Sequence, residues 1–163
     1  MPKYTLQELS DRAEISEVFN NYVTGIDTRD WALWRSCFTD DVENDSTTVR
    51  EGFTVKGADK LVELCKSHVE GLDATQHIIT NHRIELDGDT AHCTSYLHAQ
   101  HVLRSDFTGG HHILAGYYTY DMVRTPDGWK IKKYSLTITW GTGDLSVWAS
   151  AVQRAAERRG AET

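Results

Sequence analysis

From His77 onward the chain changes character, and that change limits the folds open to it. Four strand-length runs follow one another: His77–Leu86, Thr90–Leu103, His111–Arg124 and Trp129–Trp140. Asp87-Gly88-Asp89 between the first two has hairpin-turn chemistry, and Thr125-Pro126-Asp127-Gly128 before the last is a strong turn signal. Upstream the periodicity is helical. Ile15, Val18, Phe19, Tyr22, Val23 and Ile26 share one face at a spacing of three and four. Asp30 is placed to cap a second helix through Trp31, Leu33, Trp34 and Phe38, which Thr39-Asp40-Asp41 ends before a short strand around Val42. The polar stretch Asp45–Gly57 reads as strand then loop. Ala58–Gly71 reads as a third helix with Leu61, Val62, Leu64, Cys65 and Val69 inward, and Leu145–Arg158 as a last one. Helices first and a strand meander afterwards predict an α+β domain: a cone-shaped, curved antiparallel sheet wrapped around N-terminal helices. The hollow between sheet and helices is the expected ligand pocket.

The chain of 163 residues has two prolines and no Ser- or Gly-rich linker or repeat, so one domain over 1–163 is expected. A hydrophobic fraction of 39% with 25% charged residues excludes disorder. The net charge of −7 argues against nucleic acid as a partner. Arg154, Arg158 and Arg159 are too few to reverse that. No apolar run approaches the roughly 20 residues of a membrane span, and Met1-Pro2-Lys3-Tyr4 lacks the apolar core of a signal peptide. Cys37, Cys65 and Cys93 have no paired spacing and read as reduced, buried filler. A cytoplasmic location is the resulting expectation.

The chemistry points to Asp27 and His77, fifty residues apart. Gly25 weakens the end of the first helix, which leaves Asp27 at its C-terminal edge. A carboxylate there opposes the helix dipole, so another group should hold it. His77 opens the first strand. If the helix packs across the sheet, the carboxylate can orient the imidazole as a general base. The competing readings are a His77 satisfied by a neighbouring carbonyl and an Asp27 that caps the next helix or pairs with Arg29. Tyr22 serves core packing or acts as an acid. On strands, His98 and His101 face opposite sides, as do His111 and His112, so no chelating pair forms and no metal is expected. His101 shares its face with Ser95, Leu97, Ala99 and Leu103, a candidate pocket wall. Trp31, Trp34, Trp129 and Trp140 fill core or subunit contacts, with Trp31 or Trp140 a candidate wall for a flat ring.

Asp27-Thr28-Arg29-Asp30-Trp31, Thr75-Gln76-His77, the hairpin Val123–Lys130 and Ile138-Thr139-Trp140-Gly141 together resemble the SnoaL-like family of the nuclear-transport-factor-2-like superfamily. The resemblance spans about residues 6–145. Within the family it is similar to scytalone dehydratase, bile-acid 7α-dehydratase and hexachlorocyclohexane dehydrochlorinase, lyases that need no cofactor. It implies that Asp27 and His77 are the catalytic pair, that Tyr22 stands beside them, and that His101 is a second catalytic histidine. The base is kept and the substrate-facing groups are changed. Ala115 and Tyr117 stand where a serine and an asparagine are found, Asp45 and Ser46 near a missing tyrosine, and Ile138 for an arginine. Trp31, Tyr117 and Trp140 are therefore the expected substrate contacts.

The implied activity is a lyase reaction on a hydrophobic cyclic or aromatic small molecule. Dehydration is the first expectation, with Tyr22 or His101 as proton donor; retro-aldol release of a small aldehyde uses the same base. The alternatives are a ketosteroid-isomerase-like isomerase and a non-catalytic binding or assembly module, such as the small subunit of a ring-hydroxylating oxygenase. A homo-oligomer is expected, a trimer or a dimer.

Overall fold

A capping box starts the first helix. Thr5 Oγ1 accepts the Glu8 N–H while the Glu8 carboxylate accepts the Thr5 N–H, satisfying two amides that the first turn leaves free. In this computed structural model, which describes residues 3–46, 54–104 and 110–161, that helix is α1 (Leu6–Thr28). Ile15, Phe19, Tyr22 and Ile26 form its buried face. Arg29 ends it in the left-handed conformation, φ 61°, the usual way to stop a helix. Asp30 then caps α2 (Trp31–Ser36) by accepting the Leu33 N–H at 2.9 Å.

The remaining elements are β1 (Phe38–Asp45), β2 (Thr54–Lys56), α3 (Ala58–Val69), β3 (Ala74–Asp87), β4 (Thr90–Leu103), β5 (Gly110–Thr125), β6 (Gly128–Gly143) and α4 (Ser146–Ala161). The six strands form one sheet in the order β2-β1-β6-β5-β4-β3. From β3 to β6 it is the expected antiparallel meander. The expectation of a wholly antiparallel sheet is corrected at its far side, where β1 runs parallel to β6. A parallel neighbour needs a crossover, and α3 with the meander supplies it. The middle of the expected loop in Asp45–Gly57 lies outside the described residues.

Strand alternation assigns the faces. On β4, Ala91, Cys93, Ser95, Leu97, Ala99, His101 and Leu103 are all buried on the helix side. Register irregularities shift this parity elsewhere, one of them between Asp121 and Met122 where β5 meets β6. The β3–β4 register slips between Thr80 and Arg83, where Asn81 has φ 56°. The β5–β6 register slips so that Ala115 faces Trp140 while Gly116 faces Ile138, leaving Thr139 as the extra residue of a bulge. A Cβ on Gly116 would lie 1.9 Å from the Thr137 carbonyl oxygen. The three cysteines are free, and burial pushes each thiol up to about 12. Among the described residues, no helix is long and apolar enough to cross a membrane.

Gly25 is explained differently from its expected role in weakening a helix end. A Cβ there would lie 2.8 Å from Trp34 Cβ, so the glycine lets α1 and α2 touch at the backbone. Gly25→Ala is expected to cost about 1–3 kcal/mol through overpacking, although alanine gains about 1 kcal/mol in helix propensity. A denaturant midpoint raised above wild type by the full propensity gain would show that the two helices separate without cost.

Candidate active site

The last turn of α1 meets the start of β3, and one carboxylate joins them. Asp27 Oδ1 accepts the His77 Nδ1–H at 2.7 Å and the Thr75 hydroxyl at 2.9 Å, while Oδ2 accepts the His77 backbone N–H at 2.8 Å. Both members are sheltered, with 8% of the His77 side chain and 22% of the Asp27 side chain exposed. Burial works against the charged form of Asp27. The His77 and Thr75 hydrogen bonds outweigh it and hold the carboxyl below its ordinary range. Arg29 braces the joint by donating to the Ile26 and Val69 carbonyls and to the Thr75 hydroxyl. With its Nδ1 proton committed to Asp27, a neutral His77 carries its lone pair on Nε2.

That ring lines a cavity of about 500 Å³ between the sheet and the helices, a size suited to a small organic ligand. Ile26, Leu61, Leu97, Leu114 and Ile138 supply apolar walls. His101 stands edge-on to His77 with ring centroids 5.4 Å apart, and only 3% of it is exposed. Its Nδ1–H is donated to the His112 carbonyl at 3.3 Å. Burial, and next the neighbouring His77, drive its pKa down to about 3. A neutral His101 that donates from Nδ1 carries its lone pair on Nε2, an arrangement that suits accepting a hydrogen bond better than supplying the expected acid.

Tyr22 is both packing and wall. Its ring lies 5.6–5.8 Å from those of Trp34, Phe38, Tyr118 and Tyr134. Burial raises its pKa well above the usual phenol value, which keeps it protonated.

The structure thus brings together Asp27, His77, Tyr22 and His101, and it leaves out the three expected substrate contacts. Trp31 packs edge-on against Trp34 on α2 and is absent from the cavity wall. Tyr117, 37% exposed, falls on the outer face because β5 sends its even positions, such as Tyr118 and Tyr120, inward. Trp140, 52% exposed, would point inward by counting from Tyr134; the bulge at Thr139 turns it out against His98. Sequence reasoning missed Asn44, Ser46, Tyr118, Tyr134, His112 and Trp148, all of which line the cavity. The alternation that separates His111 from His112 already marks His112 and Tyr118 as sharing a side. Nothing comparable marks Asn44 or Trp148. Among the described residues, no three His, Cys, Asp or Glu side chains come together as a metal-ligand set.

Because its folded pKa is depressed, Asp27 contributes stability that is complete above the unfolded value near 4 and lost as pH falls through the lower folded value. Asp27→Asn is expected to cost about 1–3 kcal/mol at neutral pH. Its deficit against wild type should shrink below about pH 4. Melting temperatures across that range check it, and a pH-independent deficit would contradict the ionised pairing.

A sequence model of the SnoaL-like domain matches residues 7–135. The chain is 30% identical over 154 residues to the terrestric acid biosynthesis cluster protein E of Penicillium crustosum, covering 91% of this chain and 96% of that protein. Among solved structures, the Kfla4162 protein of Kribbella flavida superposes with a TM-score of 0.77 at 25% identity, covering 91% of this chain and 99% of its own. The hexachlorocyclohexane dehydrochlorinase LinA-type3 of Novosphingobium barchaimii has a TM-score of 0.72 at 23% identity, covering 86% of this chain and 94% of its own, and shows the shared fold. With its α+β cone and a match over most of its length, this chain belongs to the SnoaL-like family of the nuclear-transport-factor-2-like superfamily.

Proposed function

We propose that the protein is a cofactor-independent lyase that eliminates water from an apolar cyclic or aromatic small molecule, with His77 as its base. The observation that carries this reading is the Asp27–His77 pair, which commits Nδ1–H to the carboxylate and leaves Nε2 on the cavity side. A carboxylate behind an imidazole stabilises the imidazolium that forms when a proton is taken. In the reaction, His77 Nε2 takes a proton from carbon and the C–H electron pair becomes the new double bond. The neighbouring C–O bond breaks with its electrons on oxygen. The proton on His77 then passes to that oxygen, which releases water and restores the neutral ring.

Positioned acid–base catalysis contributes about 10²- to 10⁴-fold; the remainder comes from orientation in a mostly apolar hollow. The names of two relatives support the same direction. One is a dehydrochlorinase, and the other is a terrestric acid biosynthesis cluster protein. A retro-aldol cleavage uses the same base. An isomerase built on a carboxylate base fits less well, since Asp27 lies behind the His77 ring and outside the cavity wall.

The test is conversion of a panel of cyclic β-hydroxy ketones and reduced phenols, followed by mass spectrometry for loss of water. His77→Gln and Asp27→Asn should each keep the fold by circular dichroism and lower kcat by about 10²- to 10⁴-fold. Wild-type turnover by His77→Gln would remove the imidazole from the chemistry.

A further inference from the structure

Four imidazoles line the cavity, those of His68, His77, His101 and His112, and their partners fix which nitrogens of the last three carry protons. His77 donates from Nδ1 to Asp27, and His101 donates from Nδ1 to the His112 carbonyl. Each neutral ring therefore presents an Nε2 lone pair. His112 is held the opposite way. The Trp148 indole N–H of α4 points at His112 Nδ1 across 3.1 Å, and an indole can only donate. Nδ1 of His112 must accept, so its proton resides on Nε2. Burial favours the neutral ring there.

His112 faces His101 directly across the β4–β5 ladder, where opposed Cβ atoms stand about 5 Å apart. A Cβ on Gly141 would sit 3.5 Å from His112 Nε2, so the missing side chain keeps that nitrogen uncrowded. The Trp148 N–H occupies Nδ1, so Nε2 is the ring nitrogen that can donate. The Trp148 ring also packs on His101 at 4.3 Å, so one residue of α4 seats both histidines.

We propose that His101 and His112 form a hydroxyl subsite, in which an alcohol oxygen of the substrate donates to His101 Nε2 and accepts from His112 Nε2–H. This rests on the lyase reading and names the leaving group. A ketone or a halide accepts only and leaves the buried His101 lone pair unmatched; an ammonium donates only and meets the His112 N–H. A hydroxyl satisfies both. During elimination the C–O bond breaks toward oxygen, the proton collected by His77 completes the water, and His101 and His112 keep their own protons. His112 supports the departing oxygen by hydrogen bonding, and Trp148 is a positioning residue that sets the His112 tautomer.

Two measurements on the full chain test this. Long-range proton–nitrogen correlation spectra at neutral pH should show His112 protonated on Nε2 and His101 on Nδ1. A His112 protonated on Nδ1, or on both nitrogens, overturns the proposal whatever the fate of the lyase reading. The second measurement compares binding of α-tetralol with tetralin, which lacks the hydroxyl. The alcohol should bind at least about tenfold more tightly. His112→Phe should abolish that advantage while leaving tetralin affinity unchanged. Equal affinities in wild type, or an equal loss for both probes, overturns it. Should His112→Phe fail to fold, Trp148→Phe serves in its place: without the indole N–H the His112 spectrum should show mixed tautomers, and an unchanged spectrum counts against the proposal. Loss of turnover in His77→Gln speaks to the base alone, so failures of the two readings are distinguishable.

Discussion

One carboxylate at a helix end, bonded three times to the opening of a strand, organises the rest of this molecule. Asp27 sits where the α1 dipole is negative, a position that disfavours an anion by about 0.3–1 kcal/mol. The donors from His77 and Thr75 reverse that balance. Arg29, in the left-handed turn after the helix, meets the Ile26 and Val69 carbonyls and the Thr75 hydroxyl with a single guanidinium. The end of α1, the end of α3 and the start of β3 are thereby fixed relative to one another. A base whose ring and backbone are both tied to the same aspartate is preorganised by the fold, with little left to arrange when a ligand arrives.

The hollow above this joint keeps its polar groups at separate places. Imidazoles of His77, His101 and His112 come from β3, β4 and β5, whereas the phenols of Tyr22, Tyr118 and Tyr134 come from α1, β5 and β6. Apolar side chains fill the space between them. The phenols stay protonated because burial raises their pKa values, and His101 stays neutral because burial lowers its own. No lysine or arginine is among the described residues of the cavity wall, which suits chemistry in which charge is transient.

Much of this was legible before any coordinates. The helix face of Ile15, Phe19, Tyr22 and Ile26, the Asp30 cap and both hairpin turns follow from local rules, and they appear where those rules put them. His101 with Ser95, Leu97 and Ala99 followed from alternation on an uninterrupted strand. Alternation failed at Trp140, because a bulge is invisible to a count of two. The same alternation places Tyr118 and His112 inward on β5. The family resemblance points Tyr117 at the substrate, whereas the strand sets it on the opposite face. The role of Gly25 has no local signature, because its neighbour Trp34 belongs to another helix. The parallel placement of β1 against β6 depends on the path of the whole chain.

The bulge at Thr139 has an evolutionary consequence. Past this point every side chain of β6 has exchanged inside for outside, so a one-residue deletion would reverse Trp140 and all that follows it. An indole would then swing into the hollow and shorten it. Descendants of this scaffold can thus resize the chamber in a single step by losing one residue, while the strand carrying the base is left untouched.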